Sequence, residues 1–356
     1  MRVGLEYAAD KLATYPDGKS IGPERLSGIA ASAKACDITW ASLEALPGLA
    51  RPVYNWRTLE ALLESWSAAG VPIDCLVLRC QHPLATRATY PSRGGLLSSA
   101  PPKSPAMWSA YGRMCMSLAA YLLASGRHVA IQIESEADQL FSGTVDDYLR
   151  LLATAYDEIA AVSPRALVVL AGINVAGLLA DDPTDDVIGE RIMGLPEPLR
   201  SSATRSLDFY QRTLVEGRYH AAGFHSLHQV SAIAPTVRRM RALMPARREV
   251  WADDAFPAAS LNFDSYRFNA PASRKEMETR LDALDRGDSA SLADLYAEQV
   301  ETTHARLIEM SEAGVERVYL GPLRDWPRAT GQPWQGILNA DGTPRPVCDV
   351  VRAAQS

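Results

Sequence analysis

Short apolar runs rich in β-branched residues recur along the chain, each followed by a turn and then by apolar positions spaced three or four apart. The first pattern is that of a buried strand and the second that of a helix with one buried stripe. Their alternation predicts parallel strands joined by helices. Strands are predicted at 2–7, 37–43, 73–80, 128–136, 166–171, 220–227, 249–253 and 315–323. Between them, a helix is expected after Gly22-Pro23, where proline suits the first helical position. A second starts near Asn55, with Trp56, Leu59, Leu63 and Trp66 on one face and a stop at Gly70. A third opens at Ser104-Pro105 and carries Trp108, Tyr111, Cys115, Leu118 and Leu122. A fourth has Thr144 and Asp147 placed as a capping box. A polar connection at 181–200 precedes the fifth, the sixth covers 232–244, the seventh covers 292–313 and the last follows Pro346. Eight strands alternating with eight helices predict a single (β/α)8 TIM barrel, with residues 1–356 forming one domain. The longest connections follow strands two, three and seven, where a loop of more than thirty residues is expected. In this fold, insertions at that end shape the substrate site.

Composition narrows the function classes. At 356 residues and 47% apolar the chain has ample material for a large core, and a net charge of −6 argues against nucleic acid, which calls for a basic stripe. No apolar run approaches the ~20 residues needed to span a bilayer, so no membrane is expected. The N-terminal Met-Arg-Val-Gly-Leu-Glu lacks the layout of a secretory signal. The five cysteines, Cys36, Cys75, Cys80, Cys115 and Cys348, form no CxxC pair, which suits buried reduced thiols and a cytoplasmic location. No glycine-rich phosphate loop follows strands seven and eight, and no lysine stands at a strand end suited to Schiff-base chemistry. No cofactor is expected, and oligomeric state is not legible.

Chemistry-bearing side chains gather where strands end. Strand four finishes Gln132-Ile133-Glu134-Ser135-Glu136-Ala137-Asp138, and alternation puts Gln132, Glu134 and Glu136 on one face. Strand six finishes Phe224-His225-Ser226-Leu227-His228, strand seven Trp251-Ala252-Asp253-Asp254, and strand eight Leu323-Arg324-Asp325-Trp326. Carboxylates, histidine and tryptophan on one rim suit sugar chemistry: one acid protonates a leaving oxygen, another meets the oxocarbenium-like carbon, and indoles stack on sugar rings. Any one of these acids serves equally as a helix cap or ion-pair partner, and His225 alone reads more readily as a hydrogen-bonded core residue. Trp56, Trp66 and Trp108 lie on core stripes, whereas Trp40, Trp326 and Trp334 are the sugar-platform candidates. His220, His225 and His228 do not converge, so no metal site is expected.

From Ile38 to Arg352 the order of segments resembles the clan A glycoside hydrolases, especially the bacterial β-xylosidase-like and cellulase-like members. The resemblance rests on Trp40 to Glu44, Leu46-Pro-Gly, Tyr54-Asn-Trp56, Pro101-Pro102 before Trp108 and Tyr111, the Gln132 to Asp138 run, His225, Val250 to Asp254, and the closing segment Gly336 to Pro346. It implies that Glu136 is the general acid/base and Asp254 the nucleophile. Trp40, Glu134, Ser135, His225, His228, Asp253, Asp325 and Trp326 would then meet the carbohydrate or orient the acids. Two positions depart from the family pattern: Ser135 replaces an asparagine and Asp254 a glutamate. The shorter acid bears on mechanism, since retaining enzymes hold their carboxyls about 5–5.5 Å apart and inverting ones about 6.5–9.5 Å. Retention is implied by the family, and inversion by water activation at Asp254 stays open. A catalytically inactive glycan-binding or scaffold barrel is the alternative.

Overall fold

The computed structural model describes residues 1–8, 26–88, 98–175, 178–179, 181–227, 229–258, 260–261, 274–323, 325, 334–339 and 341–355. Eight parallel strands close into a barrel in sequence order: β1 (Arg2–Ala8), β2 (Ala33–Thr39), β3 (Ile73–Arg79), β4 (Ala130–Ile133), β5 (Val168–Ile173), β6 (Ala221–Ser226), β7 (Glu249–Ala255) and β8 (Arg317–Leu320). The last strand returns to the first, with Arg2 opposite Arg317 and Leu5 opposite Leu320. Among the described residues the helices are α1 (Trp40–Leu43), α2 (Arg57–Ala68), α3 (Pro105–Ala124), α4 (Ala137–Leu140), α5 (Val145–Val162), α6 (Asp185–Met193), α7 (Leu199–Glu216), α8 (Ile233–Leu243), α9 (Arg274–Asp285), α10 (Ser289–Glu312) and α11 (Val347–Ala353). None is long and apolar enough to cross a membrane.

Outward strand residues such as Leu76, Ile131, Leu170, Phe224, Val250 and Val318 pack with the helix stripes into one continuous core. Each such buried side chain contributes roughly 1.5–3 kcal/mol before the entropy of ordering it. Inside the barrel, Cys75, Ala130, Val169, Ala221, Trp251 and Tyr319 form an apolar layer. Two residues further along β4 and β7 the interior turns polar at Gln132 and Asp253, and Lys34 and His225 are buried with them. The bottom of the barrel is thus a plug, and the top a polar cup.

Several predicted elements hold. Ser104 caps α3 ahead of Pro105, and Thr144 with Asp147 forms the capping box of α5. Trp66 and Trp108 are buried, and Trp56 stacks between Tyr54 and Tyr121 at 5.1 and 5.0 Å. Other elements are corrected. The second strand lies four residues earlier than predicted, because Lys34 is a barrel-interior residue and the Thr39 hydroxyl caps a turn of helix at Trp40–Leu43. The 181–200 stretch is not a plain connection: Thr184 caps α6, which buries Ile188 and Ile192. The long connection after β7 contains α9, whose Met277, Leu281 and Leu284 pack against Leu295 of α10. Among the described residues there are therefore eleven helices where eight were expected along the whole chain. The helix expected after Gly22-Pro23 lies outside the described residues.

Candidate active site

Two local breaks in strand geometry build the cup. On β7, Phe224 pairs with Ala252 but His225 pairs with Asp254, and on the other side Ala252 pairs with Val318 but Ala255 with Leu320. One extra residue therefore sits in β7 at Asp253-Asp254, a β-bulge that interrupts the alternation. Both carboxyls consequently meet interior groups. Asp253 accepts from Gln132 Nε2 at 3.0 Å, and Asp254 hydrogen-bonds the carboxyl of Glu6 on β1. On β4, pairing ends at Ile133 and Glu134 takes a left-handed backbone with φ 69°. The expectation that Gln132, Glu134 and Glu136 share one face fails here. Glu134 swings to β3, where Oε1 accepts from the Cys80 backbone N–H at 2.5 Å and Oε2 lies 3.8 Å from Arg79 Nε. Ser135 is half-buried between the two acids, and Glu136 stands at the N-terminus of α4.

His225 links the two sides of the cup. Its Nδ1 lies 3.1 Å from Glu136 Oε1 and its Nε2 lies 3.6 Å from Asp253 Oδ1. Burial alone would depress the imidazole, but Asp253, then Glu136 and Asp254, outweigh it and push its pKa up to about 10. It is therefore a cation at neutral pH, unfit as a general base and suited to holding carboxylates in place. A second buried cation, Lys34, donates to the Asp253 carbonyl oxygen and lies 3.8 Å from Glu6 Oε1. Its burial favours the neutral amine, but Glu6, Cys36, Asp253 and Asp254 more than compensate and hold it protonated. Burial raises Asp253 above the usual carboxylate value, with His225 and Lys34 pulling against it.

Glycines make room for this network. A Cβ at Gly223 would meet the Asp253 carboxyl carbon at 2.6 Å, and one at Gly172 would press on the same carboxylate more closely still. Gly172→Ala and Gly223→Ala are expected to cost about 1–3 kcal/mol each or more, because Asp253 cannot move without leaving Gln132 and the cations. Gly189→Ala in α6, where nothing lies within 4 Å, is the control and should be neutral or stabilising. Equal melting temperatures for all three variants would show that the cup is not tightly packed.

Asp138 on α4 is buried, and burial raises it to about 6, a Ser206 hydrogen bond opposing and Glu136 adding to the rise. An acid raised in the folded state from 3.8 destabilises the fold as pH climbs through that window, by about 1.4 kcal/mol per unit. Asp138→Asn is thus expected to stabilise the protein by about 1–3 kcal/mol near neutral pH and by little near pH ~4. Denaturation curves at the two pH values check it, and a pH-independent effect would contradict it.

The structure brings together Glu136, His225, Asp253 and Asp254 among the residues singled out from sequence. It does not bring Trp40, which is fully buried, donates from Nε1 to Glu44 at 2.8 Å and packs on His82 and Tyr111. No face of this indole is open to a sugar, since its position starts a helical turn rather than ending a strand. Asp325 is committed to Arg345 in an ion pair and to the Gly336 N–H at 2.8 Å, which pins the closing segment. Trp334 likewise donates to Asp285 at 2.9 Å and sits under the Arg345 guanidinium. His228 and Trp326 lie outside the described residues. Glu6, Lys34 and Cys36 are the interior residues that sequence reasoning missed. A lone lysine inside the apolar run Ala33 to Cys36, and the Gly4–Glu6 alternation on β1, were the available signals.

Cavities of about 460 and 160 Å³ flank Arg2 and Arg317 at the opposite end of the barrel, where Asp74 bonds Arg317 at 3.1 Å. That end of such barrels carries stability, and the converging acids lie at the other. Among the described residues no cluster of three or more histidine, cysteine or acidic side chains is arranged to hold a metal ion.

No family model matches the chain, and no curated protein sequence matches it. Solved structures do. An exo-β-1,4-mannosidase from Opitutaceae bacterium strain TAV5 aligns at a TM-score of 0.57 and 15% identity, over 99% of this chain and 58% of its own. A monomeric β-xylosidase from Caulobacter crescentus CB15 aligns at 0.59 and 12%, over 98% and 66%. The GH53 catalytic domain from Ignisphaera aggregans aligns at 0.57 and 12%, over 99% and 96%. The chain spans 58% of the mannosidase's length. The barrel is the one found in glycoside hydrolases of the clan that the sequence resembles, and at these identities the likeness establishes the fold alone.

Proposed function

We propose that the chain is a glycoside hydrolase acting on the O-glycosidic bond of an oligosaccharide or simple glycoside, with Glu136 and Asp254 as its reacting acids. The observation that carries this reading is the placement of the two carboxyls at the ends of β4 and β7 on either side of His225, which lies 3.1 Å from Glu136 and pairs in register with Asp254. Glu136, partly exposed on the rim, takes the acid/base role that the resemblance implies. Asp254 serves as the nucleophile or as the base that activates water, and Asp253, Ser135 and His225 hold the acids in register. Carbohydrate is the only partner this reading requires. The five buried free thiols support a reducing compartment.

A second reading is a barrel that binds glycans without cleaving them, and one feature favours it: Asp254 is half-buried, with Oδ1 shut off from solvent, and its carboxyl is tied to Glu6 rather than free. Hydrolysis of a panel of nitrophenyl glycosides and oligosaccharides by the wild type, Glu136→Gln and Asp254→Asn separates the two. Turnover of one sugar class that both variants lose is the expected result. Glycan binding that survives both substitutions, with no turnover by the wild type, would establish the second reading.

A further inference from the structure

We propose that Glu6 is a positioning residue that shares a single proton with Asp254 and so sets the charge that Asp254 presents to a bound sugar. The role in catalysis rests on the hydrolase reading above; the shared proton does not. The geometry is specific. In the barrel β8 separates β1 from β7, so a carboxyl on β1 reaches one on β7 only by crossing the end of β8. That crossing point is Gly321, where a Cβ would stand 2.7 Å from the Glu6 Cβ and 3.1 Å from its Oε2. The missing side chain is what lets Glu6 lie over the strand end, and the β7 bulge turns Asp254 inward to meet it.

Two carboxyl groups in hydrogen-bond contact need a proton between them, because two bare carboxylates repel and offer no donor. The surrounding groups decide where it rests. From β2, Lys34 Nζ lies 3.8 Å from Glu6 Oε1, and the Cys36 thiol donates to the same oxygen at 3.0 Å. From β6, His225 acts on both acids, and from β7 Asp253 adds negative charge beside them. Burial works against a charged Glu6, yet Lys34, Asp254 and Cys36 together hold it below the usual carboxylate range. Burial and the Glu6 charge push Asp254 far above that range. The proton therefore rests on Asp254. For Asp254 to act as nucleophile or base, the proton passes from its oxygen to a Glu6 oxygen. The pair keeps one negative charge, which moves to the side facing the sugar, where positive charge develops at the anomeric carbon.

Glu6→Gln removes the acceptor and leaves an amide that donates to an ionised Asp254. The carbonyl stretch of a protonated carboxyl, absent from ionised carboxylates, is read by infrared difference spectroscopy at mildly alkaline pH, above the Asp138 value of about 6. The expected result is a wild-type band that disappears in both Glu6→Gln and Asp254→Asn and persists in Glu6→Asp. A band unchanged in a folded Glu6→Gln variant would overturn the proposal. On any glycoside the wild type hydrolyses, the acid limb of kcat/KM should move to higher pH in Glu6→Gln, since the wild-type pair is active with one proton still bound and its limb follows the depressed Glu6, whereas a lone buried Asp254 must lose its only proton. Lower activity with an unmoved limb would reduce Glu6 to a packing residue and overturn its role in catalysis. The band behaving as expected without turnover of any glycoside would support the shared proton and sink the hydrolase reading instead.

Discussion

Replacing Lys34 by methionine is expected to destabilise the folded chain by about 3–5 kcal/mol, the usual cost of stripping one partner from a buried ion pair. Methionine nearly matches the aliphatic stem, so little of the loss comes from packing. What is lost is the ammonium that faces Glu6, donates to the Asp253 carbonyl and lies 5.6 Å above the Tyr319 ring. Glu6 would then be a largely enclosed carboxylate supported by Cys36, Asp254 and the charge of His225, without the ammonium that balances it best. The pH dependence carries a sign. Glu6 is depressed in the folded state, so its contribution is fully present above its ordinary value of 4.5 and is lost as pH falls through the depressed folded value. The Lys34→Met deficit should accordingly be largest at neutral pH and shrink in acid. Adding Glu6→Gln removes the stranded charge and should return a good part of the stability, as a double-mutant cycle by urea denaturation would read. A Lys34→Met loss below about 1 kcal/mol would mean that water reaches the cup and screens these charges.

How much of this was legible in the sequence depended on whether backbone regularity held. The barrel was, because Ile73 to Arg79 and Val168 to Ile173 are unmistakable buried strands and the helices between them carry caps and stripes. Element bounds failed where one residue served a second purpose. Lys34 disguised β2 as a polar segment, and Glu134 ended β4 early by taking a left-handed conformation that favours glycine. The charged sequence of α9 hid a stripe of Met277, Leu281 and Leu284. Strand-end acids could be found by counting, which is why Glu136, His225, Asp253 and Asp254 were singled out. The bulge that turns both aspartates inward could not, since an inserted residue leaves no trace in a hydrophobic pattern. Nor could the pairing of Glu6 with Asp254, whose partners lie at opposite ends of the chain and meet only when the barrel closes. Trp40 and Asp325 show the converse. Their residue types suit a sugar site, but Glu44 and Arg345 already occupy their polar groups.

The roles of the two acids separate by leaving group. Glu136→Gln is expected to lower kcat about 10²–10⁴-fold on an oligosaccharide, whose departing sugar oxygen needs a proton in the transition state. On a nitrophenyl glycoside the loss should be much smaller, because nitrophenolate departs unprotonated and formation of the intermediate no longer depends on the acid. Asp254→Asn, by contrast, removes the group that meets the anomeric carbon or activates water, and its loss should be large with either leaving group. The structure makes this more than a formality. The imidazolium of His225 stands 3.1 Å from Glu136, while Asp254 is the acid that holds a proton at rest. Glu136 can donate only after taking up a proton, for which the His225 imidazolium is the donor within reach, and Asp254 can attack only once its own proton has passed to Glu6. Were the leaving-group dependence to appear in Asp254→Asn instead of Glu136→Gln, neither transfer would be needed. The proton resting on Asp254 would itself be the one delivered to the leaving oxygen, and Glu136, beside its cation, would be the group that attacks.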